Sequence, residues 1–334
     1  MYGSTKGAGL LTHIALALDF SEASAEAAKA IFQMAHLGRT ERITILHVTM
    51  GAGSVGEGRA AGRSAAHSPA TQRARFSDLE TRVQQSAEAQ LHKLVARIPM
   101  PAGVSVDYII RGGKPSVIIP RVLASTQATM LAVGHESRNP ASRFWAGGVA
   151  ELVVNQTKVP TLILPTGHDG VTPGGELGAF RRALIAVDLD EDHDEVVRQG
   201  VRLVEALAGE RPPEIVLTAV ADPVDDEAVE ILADDDDSFV GHIEDYREHL
   251  ESEAGACLGA LASRCRSAGV VVKTLVRRGR PGPSILSVAT EMGAQLVVVG
   301  TKGHFLELGA TARQVVRHAD VSILAVPSGL AVGD

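Results

Sequence analysis

Apolar and polar positions along this chain alternate between two textures. Short, nearly continuous apolar runs are separated by longer stretches in which apolar residues recur at helical spacing. In the first half the runs are "HIALALD" (13–19), "RITILHV" (42–48), "VSVDYII" (104–110), "MLAVG" (130–134) and "TLILP" (161–165). Such runs, rich in Val, Ile and Leu, fit strands buried on both faces. Between them, 22–37, 77–98, a segment from Pro115 and a segment from Gly147 read as helices. Strand and helix in strict alternation predict an α/β domain with a parallel sheet and right-handed crossovers.

The second half repeats the order: "RALIAVD" (182–188), "EIVLTAV" (214–220), "VVVKTLV" (270–276), "QLVVVG" (295–300) and "SILAVP" (322–327). Between the halves, "TGHDGVTPGGELGA" (166–179) has the Gly/Pro-rich character of a linker. Two tandem domains are therefore expected, 1–165 and 180–334, joined by 166–179. The repeat offset is 169 from Asp19 to Asp188, 166 from Gly134 to Gly300, and 162 from Pro165 to Pro327. The second copy has thus lost four residues between its fourth and fifth strands.

Composition narrows the class. Of 334 residues, 45% are apolar, 22% charged and only 3% aromatic, so the core must rest on aliphatic side chains. No apolar run approaches the roughly 20 residues that span a bilayer. The N-terminal "LLTHIALALDF" runs into Asp19 and reads as a buried first strand rather than a signal peptide. A cytoplasmic protein with no membrane partner is expected. Cys257 and Cys265 stand eight residues apart on one predicted helix, about 12 Å at 1.5 Å per residue and too far for a disulfide. They share a stripe with Ile243, Leu250, Ala254, Leu258 and Leu261, which points to core packing.

The net charge of −8 conceals an asymmetry. Residues 1–170 hold 17 basic and 12 acidic side chains, and residues 171–334 hold 15 and 28. The halves carry +5 and −13, so a polyanionic ligand would sit better in the first. No nucleic-acid partner is expected.

Several local patterns occur in the same order twice: an Asp closing the first strand (Asp19, Asp188), "RGGKPSVII" (111–119) and "RRGRPGPSIL" (277–286) before the third helix, and "AVG" or "VVG" ending the fourth strand. With "ILHV" (45–48) and the closing "VVRHADVSILAVP" (315–327), they make the chain resemble a tandem universal stress protein over about 11–165 and 180–328. The resemblance implies two tandem open parallel five-stranded sheets, each of order 3-2-1-4-5, flanked by helices in a Rossmann-like arrangement. It also implies a fifth strand whose outward edge pairs with another domain. From this come an intrachain pseudo-dimer of the two halves and a further homodimer.

In such a sheet, chain order reverses between strands one and four, and ligands bind at that switch point, outside the carboxyl ends of the strands. Nucleotide-binding relatives carry Gly-x2-Gly-x9-Gly-[Ser/Thr] after strand four. There the glycines let backbone N–H groups approach phosphates at a helix N-terminus. The first half keeps the spacing as Gly134, Ser137, Gly147, Gly148, but the second glycine has become serine and the final hydroxyl has become glycine. The second half keeps Gly300 and Gly303, with five residues instead of nine before Gly309. Neither copy matches the full motif. The resemblance then implies an adenine-nucleotide site, with ATP as cofactor, in the first half alone, and a degenerate second half. Its residues would be Asp19 beside the ribose or phosphates, Val48 bordering the base, and Gly134, Ser137, Arg138, Gly147, Gly148 and Val149 around the phosphates. Arg143 would add charge there and Trp145 would pack beneath the loop. Magnesium would enter only with the nucleotide.

Each residue also has a plainer structural reading. Asp19 can order the turn before a helix capped by Ser21, and Val48 and Val220 can simply end buried strands. "GAGSVG" (51–56) fits G-x-G-x-x-G, but no helical period follows it, so a dinucleotide fingerprint is rejected. The acidic stretch 221–237 reads as a solvated charge run. No HExxH, GxSxG or Walker A motif is present, and the histidines fall into no metal-ligand spacing. A non-enzymatic regulatory protein is expected, with a slow ATP-hydrolysing or nucleotide-transferring enzyme of the same fold as the alternative.

Overall fold

The structure is a computed structural model that describes residues 9–37, 40–49, 69–136, 146–166, 180–190, 193–208, 212–221, 237–265, 270–301 and 308–327. In the first half the elements are β1 (His13–Ala17), α1 (Glu22–Leu37), β2 (Arg42–Thr49), α2 (Pro69–Val95), β3 (Ser105–Gly112), α3 (Pro115–Thr126), β4 (Met130–Glu136), α4 (Ala146–Gln156) and β5 (Thr161–Thr166). In the second they are β6 (Arg182–Ala186), α5 (Asp194–Ala206), β7 (Glu214–Val220), α6 (Asp237–Cys265), β8 (Val271–Arg277), α7 (Pro281–Glu291), β9 (Leu296–Thr301), α8 (Ala310–His318) and β10 (Ser322–Pro327).

Within each half the strands lie in the expected order: 3-2-1-4-5 in the first and the corresponding 8-7-6-9-10 in the second. The expectation of two separate five-stranded sheets is corrected. All ten strands form one continuous sheet, β3-β2-β1-β4-β5-β10-β9-β6-β7-β8. The joint is antiparallel, with Ile163 opposite Ile323, Leu162 opposite Leu324 and Thr161 opposite Ala325, while the other pairs are parallel. Two open edges that would otherwise expose backbone donors and acceptors satisfy each other.

Helices cover both faces. On one face α1, α2, α5 and α6 pack through Ile31, Leu91, Val201 and Leu258, and the layer runs unbroken across the joint through Leu162, Leu164, Leu324 and Val326. On the other face α3, α4, α7 and α8 pack through Val122, Val153, Val288 and Val315, crossing the joint through Ile163 and Ile323. Each half thus completes its core with the other.

Helix α2 differs from expectation, starting at Pro69 rather than near 77 and ending at Val95. The added turns, "PATQRARF" (69–76), carry Phe76 as their one large apolar side chain and so lack the apolar period by which a helix is read. Both cysteines are free on α6, as expected. Cys265 is buried, and burial pushes its thiol up to about 11. "GAGSVG", residues 167–179 of the linker and 222–236 of the acidic stretch lie outside the described residues.

Candidate functional site at the carboxyl edge of the first half

The switch point is built by the turn after β1. Asp19 Oδ1 accepts hydrogen bonds from the backbone N–H of Ser21 at 3.0 Å and from its hydroxyl at 2.5 Å. Ser21 Oγ accepts in turn from the N–H of Ser24 at 3.1 Å, capping α1. The first turn of α1 then rests on β4. A Cβ on Gly134 would lie 2.6 Å from the Ala23 carbonyl oxygen and 2.9 Å from the Ser24 nitrogen. Only glycine permits this approach. Asp19 and Gly134 therefore meet in one junction, and Gly134 has a packing reason to be glycine that involves no phosphate.

Between Asp19 and Ser21, Phe20 adopts φ 67°, a conformation that is an outlier for a bulky side chain. Its ring lies 4.3 Å from that of His47, tilted by 46°. His47 is buried, and its Nδ1–H donates to the Leu18 carbonyl at 2.7 Å, which leaves Nε2 as the ring's acceptor when neutral. Phe20, His47, Val48 and Thr49 form one wall of a groove of about 450 Å³. Val83, Ser86, Ala87 and Gln90 of α2 form the other. It is a shallow groove, largely open to solvent, lined by apolar and aromatic surface with a few polar groups.

The structure brings Asp19, Val48 and Gly134 to the same edge of the sheet. Gly147, Gly148 and Val149 stand in the first turn of α4, a position where N–H groups have no partner within the helix itself. Ser137 and Arg138, like Arg143 and Trp145, lie outside the described residues. Of the eight groove residues, sequence reasoning singled out only Val48 and missed the other seven, Phe20, His47 and Gln90 among them. His47 stood inside the quoted "ILHV", where an ionisable group at the end of a buried run was the available signal.

The matching edge of the second half is arranged differently. Asp188 Oδ1 accepts from the Asp190 N–H at 3.1 Å, and His193 Nδ1–H donates to the Asp188 carbonyl at 3.2 Å. His193 Nε2 lies 3.8 Å from Cys257 Sγ on α6. Asp194 pairs with both terminal nitrogens of Arg264 at 2.8 and 2.7 Å. Here the turn is tied to α6 by side chains, and Val220 at the end of β7 is half-buried. Among the described residues no group of three or more His, Cys, Asp or Glu side chains could hold a metal ion. No described helix is long and apolar enough to cross a membrane.

The universal stress protein family model matches residues 11–165 and again 179–327. The chain belongs to the universal stress protein family. Universal stress protein Sll1388 of Synechocystis is 27% identical over 155 residues, which are 44% of this chain and 97% of that one. Universal stress protein G of Shigella flexneri is 31% identical over 91 residues, 26% of this chain and 64% of the relative. A solved universal stress protein from Archaeoglobus fulgidus overlays 95% of this chain and 97% of its own, at TM-score 0.61 and 20% identity. This universal stress protein thus shares its two-domain architecture with a solved structure along nearly its whole length, a likeness of fold.

Proposed function

We propose that the protein is a non-enzymatic stress-response regulator that binds an adenine nucleotide in its first half, the second half serving as a structural partner. The observation that carries this reading is the groove between the end of β2 and α2, with Val48 and the Phe20–His47 pair on its wall. The base would lie there and the phosphates toward Gly134 and the start of α4. Charge supports the same half, +5 against −13. We read the role as binding without turnover, with Asp19 ordering the turn before α1. Magnesium would arrive with the nucleotide. A homodimer of chains and a cytoplasmic location belong to the same reading. Sedimentation at the mass of one chain would remove the first, and recovery of the protein outside the cytoplasmic fraction would remove the second.

Calorimetric titration of magnesium–ATP into the full chain tests the assignment. Val48→Arg should abolish binding, and Val220→Arg should leave it intact, both variants retaining the native circular dichroism spectrum. Loss through Val220→Arg alone would move the site to the second half. Absence of binding to the wild-type chain would leave a purely structural regulator. Steady phosphate release from ATP, removed by Asp19→Ala, would favour the enzyme instead.

A further inference from the structure

At the joint the two halves correspond by a shift of 162, the shift that carries Pro165 onto Pro327 and Val153 onto Val315. The same shift carries Leu162 onto Leu324, its own partner across the antiparallel pair. It also carries Glu151 on α4 onto Arg313 on α8, and these two are again partners, with Glu151 Oε1 3.0 Å from Arg313 Nε. Both contacts therefore lie on a local pseudo-twofold axis. In a symmetric pairing of like units, each such residue would face its own copy.

The strands discriminate little at this axis, because both offer leucine there, flanked by Thr161 and Ile163 in the first half and by Ile323 and Ala325 in the second. The helices discriminate. The first half presents Glu151, and α4 contains no Lys or Arg. The second presents Arg313 and also Arg317, which the shift places opposite the position of Asn155. Arg317 Nε and Nη2 donate to Glu151 Oε2 at 3.0 and 2.8 Å. The Glu151 side chain is only 13% exposed, so removing these partners would leave its carboxylate with little water to replace them.

We propose that this opposed charge at a self-equivalent position makes the joint heterotypic: each half accepts the other and rejects a second copy of itself. Two first halves would set Glu151 against Glu151 with no cation on either α4. Two second halves would crowd four guanidinium groups. Juxtaposed like charges select against the wrong partner, whereas the apolar strand edges alone would accept either. Without the selection, first halves and second halves of different molecules could pair in turn and link chains end to end. The device leaves other surfaces free for a homodimer.

The test begins from the intact chain, carrying a protease site within 167–179 and cut after folding. Isotopically light and heavy samples are mixed in denaturant, refolded together and weighed by native mass spectrometry. In the wild type, unlike pairs should exceed like pairs by at least about tenfold beyond the statistical share. In E151Q/R313Q/R317Q, which keeps side-chain length and removes charge, like pairs should approach the statistical share. Refolding the wild type with E151R/R313E/R317E should produce a new species, a wild-type first half paired with a charge-reversed first half. Like pairs at the statistical share in the wild type would overturn the proposal. So would strict unlike pairing in the neutral variant, or absence of first–first pairs from the charge-reversed mixture. If the neutral variant fails to refold, the charge-reversed mixture decides alone, since its opposite charges are retained.

Discussion

The carboxyl edges of the two halves begin from the same scaffold and end differently. Each has an Asp after its first strand, accepting a hydrogen bond from the backbone N–H two residues on. In the first half the intervening Phe20 turns to positive φ and sets its ring, tilted, beside that of His47, and the two rings wall a groove against α2. In the second, His193 bridges the turn to Cys257 on α6. The strand order and the helix layers are indifferent to this choice. The two edges thus differ in a handful of turn residues and not in the sheet that carries them.

The largest expected effect breaks the first edge directly. Gly134→Ala places a methyl group against helix backbone that cannot step aside, and should lower stability by about 3 kcal/mol. Gly200→Ala in α5 meets only the ends of Ile185 and Val298 side chains, and should cost about 1 kcal/mol. Denaturant unfolding of the two variants checks the ranking, and equal losses would mean that α1 does not rest on β4 as described.

A smaller difference concerns the helix starts. Ser21 caps α1 through its hydroxyl, so Ser21→Ala should cost about 1 kcal/mol. The residue before α5, His193, makes no side-chain capping bond but donates to the Asp188 carbonyl, so His193→Ala should cost about 0.5 kcal/mol through the loss of that exposed bond. The same denaturation experiment separates them, and a larger loss at His193 would reverse the comparison.

The smallest effect is a difference in pH response. Burial, and then the neighbouring Arg42 charge, hold His13 below its ordinary 6.5, and its Nε2 lies 2.8 Å from Thr44 Oγ. The unfolded chain therefore takes up this proton first. The stability that His13 contributes is complete above about pH 6.5 and falls as pH drops toward its folded value. In the second half, Cys265 is raised to about 11, so the unfolded thiol ionises first and stability declines as pH rises above 9. His13→Asn should flatten the acid limb of a thermal-stability profile and Cys265→Ala the alkaline limb. An acid limb unchanged by His13→Asn would sink the first assignment, and an alkaline limb unchanged by Cys265→Ala the second.

Much of this architecture could be read in the chain itself, for a definite reason. Parallel strands covered on both faces, such as β4 with Met130, Leu131 and Ala132 fully buried, are written as continuous apolar runs. Their order twice over carried the tandem reading. The single ten-stranded sheet was harder, because nothing in "TLILP" or "SILAVP" says which edge each will meet; that follows only when Leu162 and Leu324 coincide at an axis. The early turns of α2 escaped because "PATQRARF" (69–76) offers Phe76 as its one large apolar side chain and so marks no face. Asp19 and Gly134 were singled out by their place in repeated motifs and Val48 by the family resemblance, and the structure sets all three at one edge of the sheet. Phe20 was not singled out, since a backbone angle of φ 67° leaves no trace in residue type. Gly134 was read as a phosphate contact, and the structure adds a close helix approach that spacing could not reveal.

The antiparallel joint also sets a clock. β5 ends at Thr166, whereas its partner β10 begins at Ser322, the last strand of the chain. At ribosomal rates of roughly 5–20 residues per second, the intervening chain takes on the order of 10 s to emerge. During that interval the first half has its own five strands but a bare apolar edge at Leu162 and Leu164, with half of each shared core missing. Newborn chains on one polysome are then more exposed to one another than finished molecules are. A nascent-chain chaperone would act during that interval, before β10 arrives.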